Sequence, residues 1–186
     1  MNRGAAVKNF EADSGRCADG GAVHRAYISI GSNIGDRAAN CERAILALDS
    51  ASGVRVAARS RLFLSEPVGY ADQRWFVNAV VKVETTFSPF ALLGVLQGLE
   101  RDAGRKRSGI RFGPRTLDLD IVIFDDMIID SDGLEIPHPR MHERRFVLGP
   151  LCDIDPRVVH PVLKKTARQL YDALSEDEQK ILVREQ

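Results

Sequence analysis

The sequence predicts an α+β fold with a ferredoxin-like βαββαβ core, in which helices pack on a mainly antiparallel sheet and additional helices follow towards the C-terminus. Short apolar or alternating runs, typical of strands, are interleaved with two longer segments of helical character in that order. The chain has 186 residues, which suits one domain, and shows no internal repeat. We therefore expect residues 25–186 to form a single domain.

Residues 1–24 contain Gly, Ala and Asp without strand or helix periodicity, so we predict a disordered N-terminal extension. The run AYISI, from Ala26, is short and apolar and ends at Gly-Ser-Asn, which indicates a strand followed by a turn. A helix should follow from Arg37 to about Ala51, with Asp36 as its N-cap. Its residues expected to face the core are Ile45, Leu46 and Leu48.

Two strands and a second helix come next. Residues 54–64 predict one strand, and residues 76–84 predict another because apolar side chains alternate there. Ser88 followed by Pro89 is typical of an N-cap and first helical position, and Gly104 is a C-terminal stop, which predicts a helix over 89–103.

The strand TLDLDIVIF, residues 116–124, completes the core, and a further short strand is expected directly after it. Residues 140–148 and 164–184 are predicted to be helical. Prolines interrupt the chain between these segments.

Lysine plus arginine and aspartate plus glutamate number 26 each, so the net charge favours neither nucleic acid nor an anionic membrane surface as a partner. The three cysteines are far apart and form no Cys-x-x-Cys pair, which suits free thiols in a reducing compartment. No stretch approaches the roughly 18 apolar residues of a membrane span, and the N-terminus lacks the apolar core of a signal peptide. We expect a cytoplasmic protein.

Two carboxylates are predicted to be neighbours on the last core strand. Alternation places Leu117, Leu119, Ile121 and Ile123 on one face, and Asp118 and Asp120 with Val122 and Phe124 on the other. Two ionised carboxylates so close repel each other unless a cation lies between them, and an oxygen-preferring ion such as Mg²⁺ would meet that need. The alternative is that both are solvated or pair with nearby arginines.

A basic, glycine-containing loop precedes this pair. Its five cations are Arg105, Lys106, Arg107, Arg111 and Arg115. Such a mixture of cations and carboxylates suits a metal-bridged polyphosphate, and the glycines would let the loop close over a ligand. No Walker-type phosphate-loop sequence occurs, so a nucleotide site here would depend on metal and arginines. The alternative is a flexible surface loop.

His138 and His142 have the four-residue spacing of a zinc pair on a helix, but the prolines beside His138 argue against a regular helix there. The aromatic residues Phe76 and Phe146 each lie next to polar side chains. Such rings are usually part of a core, but two of them can also hold a planar heterocycle.

The segments YISIGSN, WFVNAVVKVET, FGPRTLDLDIVIF and IPHPRMHERRFVLGPL, in this order, resemble the 6-hydroxymethyl-7,8-dihydropterin pyrophosphokinase family over residues 26–174. The resemblance implies transfer of the diphosphate of ATP to the hydroxymethyl group of the pterin, with release of AMP, in folate biosynthesis. It implies the small-molecule substrates ATP and the pterin. We expect a monomer without a nucleic acid or membrane partner.

The resemblance also implies roles for individual residues. Asp118 and Asp120 match the ligands of two Mg²⁺ ions. Arg105 and Arg115, with Asp120, match the catalytic positions, although a metal-bound carboxylate is a weak proton acceptor. The implied nucleotide contacts are Gln97, Glu100, Arg107, Arg115, Ile121, His138 and Arg144. The implied pterin contacts are Ser65, Val68, Gly69, Phe76, Asn78 and Phe146. Phe112 and Pro139 depart from residues that some members carry, Trp and Tyr respectively, which affects nucleotide and lid contacts.

Two other functions fit parts of the pattern. An RNA-binding module of the RRM type shares the βαββαβ order, but its aromatic strand signature is missing and Asp118 and Asp120 would repel phosphates. An ATP-dependent kinase acting on another hydroxyl would use the same phosphate site. Only Phe76, Asn78 and Phe146 favour a pterin over other acceptors.

Overall fold

The computed structural model describes residues 22–69, 72–104, 113–175 and 179–184. Within them the strands are β1 (His24–Ser32), β2 (Val54–Arg59), β3 (Phe63–Ser65), β4 (Phe76–Thr85), β5 (Asp118–Phe124), β6 (Ile129–Ser131), β7 (Leu134–Ile136) and β8 (Ile181–Val183). The helices are α1 (Arg37–Asp49), α2 (Pro89–Asp102), α3 (Arg145–Ile154) and α4 (Ala167–Asp172), with a short 3-10 helix at Met141–Glu143. Most of the predicted extension over residues 1–24 lies outside the described residues.

The main sheet is antiparallel and has the order β5-β1-β4-β3-β8, with β2 also pairing with β4. β1 therefore lies between β4 and β5, as the predicted ferredoxin-like core requires. β6 and β7 form a separate hairpin after β5. The fold class predicted from the sequence is confirmed.

Helices cover both faces of this sheet. On one face, α1 and α2 bury apolar side chains against β1, β4 and β5, and Leu48, Leu92 and Leu96 are fully buried there. On the other face, α3 and α4 form a second core with Val80 and Val122. The C-terminal helices therefore pack on the side of the sheet opposite α1 and α2.

The caps of the first two helices follow the sequence. The Asp36 carboxylate accepts the N–H of Ala39, and the Ser88 hydroxyl accepts that of Ala91, so both N-cap predictions are confirmed. Gly104 has φ of +74°, the left-handed conformation that glycine adopts readily after a helix. Ile45 and Leu48 are buried as predicted, but Leu46 is 64% exposed.

The predicted strand over residues 54–64 is divided into β2 and β3. Ser60 lies in the gap, where its hydroxyl accepts the N–H of Val80 and its own N–H donates to the Val80 carbonyl. Both strands still pair with β4. β2 pairs with the C-terminal end of β4, and β3 pairs with the N-terminal end of β4.

The alternation predicted along β5 holds as far as Val122. The pairing of β1 with β5 changes register at Tyr27 and Ile28, so Val122 is the additional residue of a β-bulge. Ile123 consequently joins the core under α3, and Phe124 joins the core under α1 and α2. Their predicted faces are therefore wrong, and those of Asp118 and Asp120 are unaffected.

The C-terminal third differs most from the predicted elements. The segment 140–148 begins as a 3-10 helix and continues as α3, whereas within 164–184 only α4 is helical and the segment ends as strand β8. Cys41 and Cys152 are buried free thiols, and Cys17 lies outside the described residues. None of the described helices is both long and apolar enough to cross a membrane.

Candidate active site

A pocket of about 260 Å³ opens on the face of the main sheet that α3 covers. In the β1–β5 pairing Asp120 is opposite Ser29 and Asp118 is opposite Gly31, and in the β1–β4 pairing Gly31 is opposite Asn78. Directly opposed residues point to the same face, so three adjacent strands supply its floor. The residues that line it are Ser29, Gly31, Ser65, Glu66, Val68, Phe76, Asn78, Gly113, Arg115, Asp118, Asp120, His138, Arg140, Arg144 and Phe146.

The two aspartates differ in their partners. Asp118 forms an ion pair with Arg115, whose NH1 is 2.5 Å from its Oδ2. Burial and, next in size, the negative charge of Asp118 raise the pKa of the Asp120 carboxyl to about 6, although Arg144 opposes the shift. The arginines near Asp120 thus do not offset its burial and the repulsion from Asp118.

The turn after β1 fixes the position of Arg115. Asn33 is 2% exposed, and its Oδ1 accepts the N–H of Arg115 at 2.7 Å. Its own N–H donates to the Arg115 carbonyl at 3.0 Å. The Gly-Ser-Asn segment therefore acts as a strand-to-helix turn that anchors the basic segment before β5.

His138 and Arg144 direct two hydrogen-bond donors to one region of the pocket. Burial and the Arg144 charge lower the pKa of His138 to about 4, so the ring is neutral at physiological pH. Its Nδ1 accepts the N–H of Arg140, which assigns the ring proton to Nε2. Nε2 lies 3.2 Å from NH1 of Arg144, which is also a donor. An anionic oxygen between them could accept from both.

The opposite wall of the pocket is aromatic and amide in character. Phe76 at the start of β4 and Phe146 in the first turn of α3 both line it. Asn78 is 2% exposed, and its Nδ2 donates to Ser65 Oγ at 2.8 Å, which fixes the orientation of the amide. The Arg144 guanidinium carbon lies 5.5 Å from the centre of the Phe146 ring. Arg144 therefore lies between the aromatic wall and the side of the pocket that contains His138.

Most of the site residues predicted from the sequence line this pocket, and four described ones do not. Gly69 and Gln97 are exposed outside it, and Ile121 is buried in the core under α1 and α2. Glu100 is buried and its Oε1 accepts the N–H of Leu119 at 2.8 Å, which ties α2 to β5 between the two aspartates. Arg105 and Arg107 lie outside the described residues. The functional roles of all these residues stay predictions.

Sequence reasoning did not identify five residues that line the pocket: Ser29, Gly31, Glu66, Gly113 and Arg140. Ser29 and Gly31 alternate on β1 as the aspartates do on β5, so a search for small residues opposite the carboxylates would have found them. A Cβ added at Gly31 would lie 3.2 Å from Asn78 Oδ1. Glycine at this position therefore lets the Asn78 side chain lie directly beside β1 in the floor of the pocket.

The two histidines considered as a zinc pair lie in different places. His138 lines the pocket, whereas the His142 ring packs edge-on against His160 with centroids 6.0 Å apart. Among the described residues no group of three or more His, Cys, Asp or Glu side chains is arranged to hold a metal ion.

An α+β sheet that carries paired carboxylates, converging cations and an aromatic wall around one pocket defines an enzyme suited to transfer of a phosphate group. A family model described as 7,8-dihydro-6-hydroxymethylpterin-pyrophosphokinase (HPPK) matches residues 27–156. The chain belongs to this family, whose members are diphosphotransferases with ATP as co-substrate.

Named relatives agree with this assignment. The chain is 46% identical over 129 residues to the 2-amino-4-hydroxy-6-hydroxymethyldihydropteridine pyrophosphokinase of Bacillus subtilis, covering 69% of this chain and 77% of that protein. It is 41% identical over 134 residues to the Pseudomonas aeruginosa protein of the same name, covering 72% and 82%. A mitochondrial folate synthesis bifunctional protein of Arabidopsis thaliana is 49% identical over 131 residues, or 70% of this chain and 23% of that protein.

Solved structures share the fold. The crystal structure of wild-type Plasmodium falciparum HPPK-DHPS with pteroate matches with a TM-score of 0.63 at 18% identity, covering 84% of this chain and 43% of that chain. At this identity the likeness shows the fold alone. The present chain spans less than half of that protein.

Proposed function

We propose that this chain transfers the diphosphate of ATP to the hydroxymethyl group of 6-hydroxymethyl-7,8-dihydropterin and releases AMP, as a step of folate biosynthesis. The observation that supports it best is the composition of the pocket. Paired carboxylates and guanidinium groups meet an aromatic and amide wall within one cavity. A polyphosphate and a planar acceptor can therefore be held next to each other, which is the main requirement of phosphoryl-group transfer.

The aromatic wall is the proposed pterin site. Phe76 and Phe146 would hold the ring system between them, and the buried Asn78 amide would bond its polar edge. Ser65 supports that amide through its hydroxyl. Val68 and Gly69 would complete the pocket through their backbone.

The other side of the pocket is the proposed phosphate site. Arg115, Arg144 and the Nε2–H of His138 would bind phosphate oxygens, with Arg105 and Arg107 from the preceding loop. Gln97, Glu100 and Ile121 remain proposed contacts on the nucleotide side. Because Glu100 holds the Leu119 amide, its contribution would be to fix the strand that carries the aspartates.

The carboxylate pair fits magnesium. Asp118 and Asp120 share one face of β5, and the raised pKa of Asp120 reflects a site in which an added cation would relieve both burial and repulsion. We expect two Mg²⁺ ions. Since two carboxylates cannot complete their coordination, phosphate oxygens and water would supply the other ligands. Bound magnesium would neutralise charge on the triphosphate.

The protein residues would contribute mainly by positioning. The arginines would hold the triphosphate in line with the pterin hydroxyl, which attacks the β-phosphorus, and closure of the basic loop would exclude water. Asp120 stays the proposed catalytic carboxylate, with metal binding as its main role. We further propose that the chain acts as a monomer in the cytoplasm, without a nucleic acid or membrane partner.

Phosphorus NMR of the purified protein with ATP, Mg²⁺ and the pterin tests this function. AMP and a pterin diphosphate are the expected products, whereas ADP would indicate an ordinary kinase and overturn the proposal. Asp120→Ala should abolish turnover and keep the fold. Asp132→Ala, a change at an exposed aspartate outside the pocket, is the matched control and should leave turnover intact.

A further inference from the structure

The C-terminal segment, residues 179–184, lies beyond the residues that the family model matches, yet it returns to the pocket. β8 pairs with β3, and Ile181 is opposite the pocket residue Ser65. The Glu66 N–H donates to the Lys180 carbonyl at 3.2 Å, and the Lys180 N–H donates to the Glu66 carboxylate at 3.4 Å. One side of the pocket is therefore attached to this segment by hydrogen bonds to its backbone.

The same segment also bonds the start of α3. The N-cap residue of α3, Arg144, makes no side-chain capping hydrogen bond. Instead Gln179, which is 7% exposed, accepts the N–H of Phe146 with its Oε1 at 3.4 Å. The free N–H groups of a first helical turn need acceptors, and a side chain from a distant part of the sequence supplies one here. That N–H belongs to the residue whose ring lines the pocket.

Packing keeps the segment in register with α3. Ile181 Cδ1 occupies the space above Gly149, and a Cβ added at Gly149 would lie only 2.5 Å from it. The Arg145 guanidinium donates to the Leu174 carbonyl at 2.8 Å and to the Tyr171 hydroxyl at 2.9 Å, which ties the beginning of α3 to the end of α4. The start of α3 is thus held from two directions by the C-terminal region.

We infer that Gln179 is a positioning residue of the pterin site, which holds Phe146 at the distance from Phe76 that a planar ring system requires. This inference rests on the proposed function. Gln179 does not itself line the pocket, so it acts through Phe146. Arg144 is held separately, by the hydrogen bond from its N–H to the Met141 carbonyl, so phosphate binding should depend less on Gln179.

Gln179→Met keeps the length of the side chain and removes the acceptor. Loss of a helix cap corresponds to about a threefold to tenfold change in an equilibrium constant, so the KM for the pterin should rise by about that factor while the KM for ATP stays unchanged. Gln179→Glu keeps an acceptor at the helix N-terminus and should restore the KM for the pterin. Lys180→Met is the control, because the described hydrogen bonds of Lys180 involve only its backbone.

The experiment combines steady-state kinetics of the full chain with amide hydrogen exchange at Phe146. Faster exchange in Gln179→Met, a selective rise in the KM for the pterin and rescue by Gln179→Glu would support the inference. An equal rise in both KM values, or a Gln179→Glu variant as impaired as Gln179→Met, would overturn it. If the wild type formed no AMP with the pterin, the proposed function would fail, but faster exchange in Gln179→Met would still establish the contact.

Discussion

Replacing Asp120 with asparagine is expected to stabilise the metal-free protein at neutral pH while abolishing turnover. The wild-type carboxyl is buried next to Asp118, and together these raise its pKa from 3.8 to about 6 despite the opposing charges of Arg144 and Arg115. A group whose ionised form is disfavoured by the fold destabilises the folded state once it ionises. Asparagine has nearly the same shape and carries no charge.

The size of the effect follows from the two pKa values. Between about pH 3.8 and pH 6 the folded chain retains a proton that the unfolded chain has lost, so stability falls as pH rises through this window. Above pH 6 the pKa difference corresponds to a gain of about 3 kcal/mol in the free energy of unfolding. This is an upper limit because the asparagine amide must also find hydrogen-bond partners. For a chain of this size the melting temperature should rise by about 6–12 °C.

Thermal denaturation in the presence of EDTA, at pH 7.5 and pH 4.5, measures this gain. We expect a large gain at pH 7.5 and about one third of that gain at pH 4.5, where the unfolded carboxyl is already mostly ionised. Asp132→Asn should give no gain at either pH. Saturating MgATP should then stabilise the wild type more than the variant. An Asp120→Asn protein that is less stable than the wild type at pH 7.5, or equally stabilised at both pH values, would refute the argument from burial and repulsion.

Three further substitutions test the pocket and its surroundings. Gly31→Ala places a Cβ 3.2 Å from Asn78 Oδ1. In steady-state kinetics the KM for the pterin should rise about tenfold and the KM for ATP should stay unchanged. An equal rise in both KM values would count against this. Ser65→Ala leaves the buried Asn78 Nδ2 without its acceptor and should lower the free energy of unfolding by about 1–3 kcal/mol in urea denaturation, and an unchanged value would contradict this role. Tyr27→Phe removes the hydroxyl that donates to Asp155 outside the pocket, and should cost about 1 kcal/mol with both KM values unchanged; altered kinetics would argue against a purely structural contact.

Helices α1 and α2 and strand β4 were predictable because their causes are local. The caps at Asp36 and Ser88, and alternation along β4, are determined by neighbouring residues in the sequence. The break at Ser60 depends instead on bonds to Val80, 20 residues away. The strand conformation of β8 depends on the open edge of β3, so the sequence of residues 164–184 could not distinguish it from a helix.

The residues of the candidate site were likewise predictable where the cause is local, and not where it depends on distant parts of the chain. Alternation brings Asp118 and Asp120 to one face, which is a local property of a strand. The burial of Ile121 and the hydrogen bond from Leu119 to Glu100 depend instead on how α1 and α2 pack on β5. The resemblance to a family identified most of the residues that line the pocket. It could not identify Gln179, because the segment that carries it lies outside the matched residues.

The two walls of the pocket are supported in different ways, and this should govern how substitutions affect them. The carboxylates and Arg115 belong to edge strand β5 and the segment before it, which are held by β1, Asn33 and Glu100. Phe146 depends on the first turn of α3, whose support comes from the C-terminal region. A perturbation of the C-terminal region should therefore weaken binding at the proposed pterin site before binding at the proposed phosphate site. Loss of β8 should impair the proposed pterin site while β5, which carries the proposed magnesium ligands, stays intact.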